Sequence, residues 1–213
     1  MTLAPAKGQP LRIMLEGRYA RLEPLTTAHM RDLHLCASPE RYRYLFDEPP
    51  KSEGDTRTWV EAAAASRDPL YFAVIDLATG HAEGRQALMR IVPEHGVIEV
   101  GGILWGDRIA RTRVATEALF LHARYVFDEM GYRRFEWKCN ALNQPSRNAA
   151  IRFGFRFEGT FRQHMIVKGE NRDTAWFAML DKDWPRLKAG YERWLSPSNF
   201  ESNGTQKTKL KFS

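Results

Sequence analysis

Apolar residues recur along the chain with two alternating periods, and the switches between them divide the sequence into elements. Residues 1–10, with Pro5, Gly8 and Pro10, follow neither period and read as an irregular lead-in. Leu11 to Leu25 alternates, which predicts a strand near Arg18–Glu23. Thr26 or Thr27 caps a helix bearing Met30, Leu33, Leu35 and Cys36, and Ser38-Pro39 ends it or starts a second turn. A polar, proline-broken loop from Asp47 to Asp55 leads to a helix capped by Asp55 or Thr56. That helix runs through Trp59, Val60 and the alanines 62–65, alanine being the strongest helix former.

A β-rich middle follows. Leu70–Ile75, Arg85–Ile91 and Val97–Trp105 read as three strands with turns at Thr79-Gly80 and Glu94-His95-Gly96, an antiparallel meander. From about Thr112 to Met130, Val114, Ala118, Leu121 and Tyr125 recur at helical spacing, and Gly131 suits the position just past the end. A strand Arg134–Cys139, a short helix Ser146–Phe153 and a strand pair Phe157–Val167 and Thr174–Leu180 come next, the pair joined by a turn at Lys168–Asn171. A last helix, Trp184–Trp194, packs its two tryptophans, Leu187 and Tyr191 back on the body. The expected architecture is one mixed α/β (α+β) domain over residues 11–195, with a single, mostly antiparallel central sheet flanked by helices. Residues 196–213 are polar and aperiodic and predict a disordered tail.

Composition narrows the class. At 213 residues, 43% hydrophobic and 27% charged, the chain suits one soluble globular domain with a full core. No apolar run approaches the roughly 20 residues that span a bilayer. The N-terminus carries no apolar signal region, so the expectation is a cytoplasmic protein without a membrane partner. Cys36 and Cys139 stand far apart, outside any metal-ligand spacing, and read as two reduced thiols; no metal is expected. The net charge of +6 favours anionic partners. Its residues cluster between Arg108 and Arg162 and in Lys207, Lys209 and Lys211, without a zinc-finger, RNP-like or basic-zipper pattern. A small phosphate-bearing ligand accounts for that distribution at least as well as nucleic acid, and no nucleic-acid partner is expected.

The chemistry concentrates between Arg108 and Phe155. An apolar strand feeds an arginine-rich turn and then a helix starting near Thr112, whose first N–H groups are unpaired and whose dipole is positive there. Thr116-Glu-Ala118, Gly131-Tyr-Arg-Arg-Phe-Glu-Trp-Lys138, Asn143-Gln-Pro-Ser146, Arg152-Phe-Gly-Phe155, Phe157-Glu-Gly159 and Asn171-Arg-Asp173 follow in order. In that order and spacing the chain, from about Arg18 to Leu180, resembles the GCN5-related N-acetyltransferase (GNAT) superfamily, specifically its RimJ/RimL-type branch.

The resemblance implies an acetyl-CoA-dependent enzyme whose strand before the long helix splays from the next one, so that the pantetheine arm pairs along it. The splayed edge here is Ile103, Leu104 and Trp105. The family's pyrophosphate loop reads Gln/Arg-x-x-Gly-x-Gly/Ala. This chain has Arg108-Ile-Ala-Arg111-Thr-Arg113, matching the first position and departing at both glycines. Arginine forks would replace the close backbone approach that glycine allows. Thr112, Val114, Ala115 and Thr116 of the helix start complete the implied phosphate site. Asn143 is implied to bond the pantetheine arm, and Ser146 to lie near the sulfur and help protonate the leaving thiolate. From the residues alone the same four-residue stretch is also an ordinary turn and helix cap.

The implied reaction is direct attack of a primary amine (a protein N-terminus, an amino acid or a small amine) on the thioester, without a covalent enzyme intermediate. A charged amine needs a base, and a backbone N–H must polarise the carbonyl. Glu99, Glu136 and His164 are the candidate bases, with water as a fourth route; each side chain also reads as an ordinary paired strand residue. Asp173 reads as a turn cap and Glu117 as electrostatic support of the helix N-terminus. Tyr42, Tyr44, Phe46 and Trp59 would border the acceptor pocket or pack in the core. Asp47, Glu48, Glu53 and Asp55 would attract a cationic amine or form a solvated loop. The missing glycines also motivate a second reading, a catalytically silent acyl-CoA-binding module. Exposed β-edges allow a homodimer.

Overall fold

The computed structural model describes residues 5–212. Its strands are β1 (Leu15–Glu16), β2 (Ala20–Pro24), β3 (Leu70–Asp76), β4 (Ala82–Val92), β5 (Val97–Trp105), β6 (Arg134–Asn140), β7 (Arg156–Val167) and β8 (Glu170–Leu180). They form one sheet in the order β1-β2-β3-β4-β5-β6-β8-β7. Every neighbouring pair is antiparallel except β5 and β6, which run parallel. A parallel pair needs a crossover. It is made by α4 (Arg113–Arg124), continued by a π-helical turn over Tyr125–Glu129 where the sequence predicts an unbroken α-helix.

The other helices are α1 (Met30–Leu35), α2 (Pro39–Tyr42), α3 (Glu53–Ala65), α5 (Gln144–Arg152) and α6 (Trp184–Trp194). The cap of α3 is Ser52, whose hydroxyl accepts from Asp55 N; neither Asp55 nor Thr56 caps it. Asp55 turns back to accept from Lys51 N instead, at 2.9 Å. One core lies between the sheet and α4 and α6, built on Phe72, Leu119, Phe135 and Tyr191, and a smaller one lies under α1 and α3 around Leu33, Val60 and Ile75.

Helix α4 is buried almost all round, from Val114 to Ala123. Its polar side chains must therefore find partners inside the protein. Thr116 donates to Thr112 O, and Glu117 accepts three backbone N–H groups. At His122, the Gln86 amide donates to Nδ1 at 3.0 Å while Nε2 has no partner. Complete burial holds the His122 pKa down at about 3. The unfolded chain takes up this proton near pH 6.5 and the folded one does not. Stability is then full above about pH 6.5 and falls with acid by about 1.4 kcal/mol per pH unit towards pH 3. Denaturant unfolding from pH 7 to 4 should show this slope, and His122→Gln should flatten it.

The segment after α6 departs from the predicted disordered tail. Phe200 is buried against Tyr19 and Trp194, with ring centroids 5.6 and 5.0 Å away, and Phe212 packs on Tyr191 at 5.2 Å. Trp194 Nε1 donates to Gln206 Oε1 and Thr208 O, both at 3.0 Å. Two aromatics twelve residues apart follow no helical or strand period, so a pattern reading sees only the polar residues between them. The lead-in is likewise tied down: Ala6 N donates to Pro93 O, and Tyr132 Oη to Gly8 O. Residues 1–4 and 213 of the predicted lead-in and tail lie outside the described residues.

Candidate active site

Strands β5 and β6 pair only from Val97↔Arg134 to Val100↔Trp137. Beyond that point they part. Gly102, in the left-handed region at φ +57°, bends β5 where an added Cβ would lie 2.7 Å from the Tyr71 ring. Past the bend Leu104 and Trp105 keep their pairing to β4, which leaves the β6-facing backbone edge of Ile103–Trp105 open. A cleft of about 1570 Å³ fills the gap, lined by Ile103, Leu104 and Trp105 among others. Trp105 is steadied from behind, its Nε1 donating to Gln86 Oε1 at 3.1 Å.

One end of the cleft reaches the N-terminus of α4. Thr112 caps the helix, its hydroxyl accepting from Val114 N at 3.2 Å. Among the described residues, the backbone N–H groups of Arg111, Arg113 and Ala115 donate to no other backbone group. Arg111, at a position where the family pattern has glycine, sits at φ +66°. The arginine thus adopts the left-handed conformation glycine would supply, at some cost in strain, and preserves the turn.

The arginines of this turn divide. Arg111 lines the cleft with Thr112, Ala115 and Thr116. Arg108 instead pairs with the buried Glu83 at 3.1 Å. Arg113 lies over the rings of Tyr19 and Phe200, at 4.3 and 5.2 Å, and Val114 is buried in the core. These three stand outside the cleft lining. In their place comes Arg152 from α5, which donates to Thr116 Oγ1 at 3.1 Å and lines the cleft. Burial pulls its pKa below the ordinary arginine value.

Midway, Asn143 and Ser146 line the cleft. Asn143, not Ser146, caps α5: its Oδ1 accepts from Ser146 N at 3.1 Å. The Ser146 hydroxyl accepts from Trp137 Nε1 at 3.0 Å. An indole N–H only donates, so that bond does not use the Ser146 proton.

The far end lies on the open face of β5, β6 and β8. Glu99 and Glu136 stand in register and share one buried ammonium, Lys138 Nζ, at 3.0 and 2.7 Å. Lys138 rests on the Trp176 ring at 3.7 Å. Glu136 also accepts from Arg134, which forks onto Glu158 at 2.8 and 2.6 Å. That network keeps Glu136 off the cleft surface. Glu99 does line the cleft, at the last residue pair but one before the strands part. Burial pushes its carboxyl above the usual carboxylate range, against the pull of Lys138 and of Arg90 at 3.6 Å. His164 also lines the cleft, its Nδ1 sharing a 3.0 Å hydrogen bond with the Thr174 hydroxyl.

Tyr44, Phe46 and Trp59 wall this end, while Tyr42 is buried behind it. The acidic residues of the same region are dispersed. Asp47 pairs with the buried Arg85 at 2.5 Å, and Glu48 with Lys168 at 3.5 Å. Arg85 also lies 4.0 Å from the Trp59 ring centre and donates to Gly102 O at 3.2 Å, bracing the bend in β5. Asp173 accepts from Gln163 N at 2.8 Å and from Asn171 Nδ2, and those bonds hold its carboxyl below the ordinary range.

A profile of the acetyltransferase (GNAT) domain matches residues 20–156. The chain belongs to the GNAT acetyltransferase family. Among solved structures it is similar to a GCN5-related N-acetyltransferase from Brucella melitensis, at 54% identity and a TM-score of 0.95, covering 98% of this chain and 96% of that one. A probable GNAT-family acetyltransferase from Chromobacterium violaceum is 36% identical with a TM-score of 0.80, over 86% of this chain and 93% of that one. A RimL ribosomal-protein acetyltransferase in complex with coenzyme A shares the fold at 20% identity and a TM-score of 0.67, over 79% and 99% of the two chains. No curated protein sequence matches.

In this N-acetyltransferase, sequence reasoning did not select Arg85, Lys138, Arg152 or Arg172 as site residues. Lys138 carried one readable signal, a charge inside a strand between the apolar Trp137 and Cys139. Arg152 carried none, because its approach to the cleft depends on how α5 lies beside α4. Among the described residues no helix is long and apolar enough to cross a membrane.

Proposed function

We propose that the protein transfers the acetyl group of acetyl-CoA to a primary amine by direct attack, in the cytoplasm and without a covalent enzyme intermediate. The observation that carries this reading is the parting of β5 and β6 with an open β5 edge and the buried Glu99 beside the fork. Acetyl-CoA supplies an activated thioester. The chain's own groups do the rest. The backbone of Ile103–Trp105 offers strand-type hydrogen bonds to the pantetheine arm. The free N–H groups at Arg111 and Ala115, with the side chains of Arg111 and Arg152, hold the pyrophosphate. Asn143 bonds the arm, and Ser146 gives its proton to the leaving sulfur. Glu99 takes a proton from the amine, its raised pKa suiting it to that task.

The acceptor is a protein N-terminus, an amino acid or a small amine. The order of the sequence motifs supports the RimJ/RimL-type branch. The left-handed backbone at Arg111 supports the enzyme over a silent module, because at one of the two missing glycines the turn is kept.

Thermal-shift titration with acetyl-CoA and CoA, followed by a free-thiol release assay over an amine panel, tests the proposal. No stabilisation by either ligand would remove the cofactor premise, and binding without release over a broad panel would favour the silent module. Arg152→Ala should weaken CoA binding about tenfold, the loss of one or two charge-assisted hydrogen bonds. Arg108→Ala should stay within about twofold, since that guanidinium is turned to the buried Glu83, outside the cleft lining. Calorimetric titration of both variants checks the pair, and the opposite ranking would return the clamp to Arg108.

A further inference from the structure

Two buried cations beside this cleft are matched by carboxylates. Arg85 has Asp47, and Lys138 has Glu99 and Glu136. Arg172, on β8 opposite Met165 of β7, is only 6% exposed, yet its Nε has no hydrogen-bond partner and no carboxylate of the described residues pairs with it. Its guanidinium carbon lies 4.7 Å from the Phe46 ring centre, and it lines the cleft beside His164, Met165 and Thr174. An aromatic face attracts the cation but satisfies none of its N–H donors.

A buried guanidinium stays charged, because arginine cannot shed its proton at accessible pH. A buried charge without a direct partner destabilises the fold, so its retention calls for a counter-charge in direct contact, which no carboxylate of the described residues makes. The pyrophosphate does not meet the need, since its site is at the opposite end, at the N-terminus of α4. Arg172 instead lies where Phe46 walls the acceptor end, within electrostatic reach of Glu99 but not paired with it. A guanidinium fork receives a planar or tetrahedral oxyanion through two parallel N–H bonds.

We infer that the acceptor amine carries a compact oxyanion, a carboxylate or a phosphate a few bonds from the nitrogen, and that Arg172 receives it. This rests on the acetyl transfer proposed above. Arg172 is then a specificity-determining residue, and the free protein holds it unpaired in readiness for the substrate.

The test uses the full chain with saturating acetyl-CoA and matched acceptors: amino acids against their carboxamides, and phosphoethanolamine against ethanolamine. The anionic member of at least one set should have kcat/KM about tenfold or more above its neutral partner, expressed mainly in KM. The set that shows the preference distinguishes carboxylate from phosphate. In Arg172→Met the anionic-to-neutral ratio should fall towards one, with Arg172→Lys intermediate because it keeps the charge and loses the fork. Equal turnover of both members would overturn the inference and leave acetyl transfer standing. So would a loss of CoA affinity in Arg172→Met with the selectivity ratio intact, which would assign the side chain to the donor. A readout independent of turnover is the Arg172 Nε–H resonance, assigned by its absence in Arg172→Lys. Titration of the anionic amines into the protein, with and without CoA, should move it, and an unmoved resonance would overturn the inference even if no acceptor turns over.

Discussion

Glu99→Gln is expected to lower kcat by about 10²–10⁴-fold, the usual worth of a positioned general base, while CoA affinity stays within a factor of about two. The carboxylate touches the cleft at the fork of β5 and β6, and the amide that replaces it cannot accept a proton from an ammonium. The folded pKa of Glu99 is raised, chiefly by burial. The wild-type kcat/KM profile should therefore carry an acid limb above the ordinary carboxylate range, rising with pH as Glu99 ionises, and the variant should lack it. Stability moves the other way. A carboxyl with a raised folded pKa favours the folded state below its unfolded pKa, and that contribution is lost as pH rises through the folded pKa. At neutral pH the ionised Glu99 thus costs stability, so the variant should unfold no earlier than wild type. An inactive variant that is also strongly destabilised would mark Glu99 as a structural partner of Lys138. Unchanged turnover would pass the role of base to His164 or to water.

Glu117→Ala should be the most damaging single change to the fold, at about 3–5 kcal/mol, seen as a fall of about 10 °C or more in Tm and a lower denaturant midpoint. The Glu117 carboxylate is buried and accepts from the backbone N–H groups of Arg18, Tyr19 and Ala20, at 2.9, 2.5 and 2.7 Å. It thereby ties α4 to the turn that joins β1 and β2. Removing it strands three donors at once, in a place water reaches poorly. Gly17 confirms how tight the fit is, since a Cβ there would lie 2.4 Å from Glu117 Cδ. Glu117→Gln should recover only part of the loss, because its amide NH₂ would oppose one of the three donors. A shift within about 0.5 kcal/mol for Glu117→Ala, the scale of ordinary surface changes, would show that the turn holds without this clamp.

Glu117 also illustrates where pattern reading stops. At the second turn of a helix an acidic residue reads naturally as a partner of the helix dipole. The sequence carries no sign that a segment about a hundred residues earlier will present three N–H groups to it. The arginine turn is a similar case. Composition marks Arg108, Arg111 and Arg113 as equal phosphate ligands, but each follows its backbone. Arg111 enters the cleft from a left-handed residue, while Arg108 and Arg113 turn to Glu83 and to the Tyr19 and Phe200 rings.

What the chain determined by itself is the succession of elements and the family that follows from it. Alternation marked the strands, helical spacing and capping residues marked α4 and α6, and the motif order placed the helix N-terminus after β5. These signals are local, within a turn or a strand, and need no knowledge of neighbours. The tertiary structure alone decided which charges face the cleft. Glu99 and Glu136 are alike in sequence terms, one acidic residue in each of two paired strands, and Lys138 binds both. Arg134 and Glu158 draw Glu136 into a network away from the cleft, leaving Glu99 beside the fork. The same holds for Arg172, which is one more arginine in a turn-and-strand motif until packing buries it without a partner. Side-chain charge is written in the sequence, but its worth depends on solvent and partners, and those are assembled only when distant strands meet.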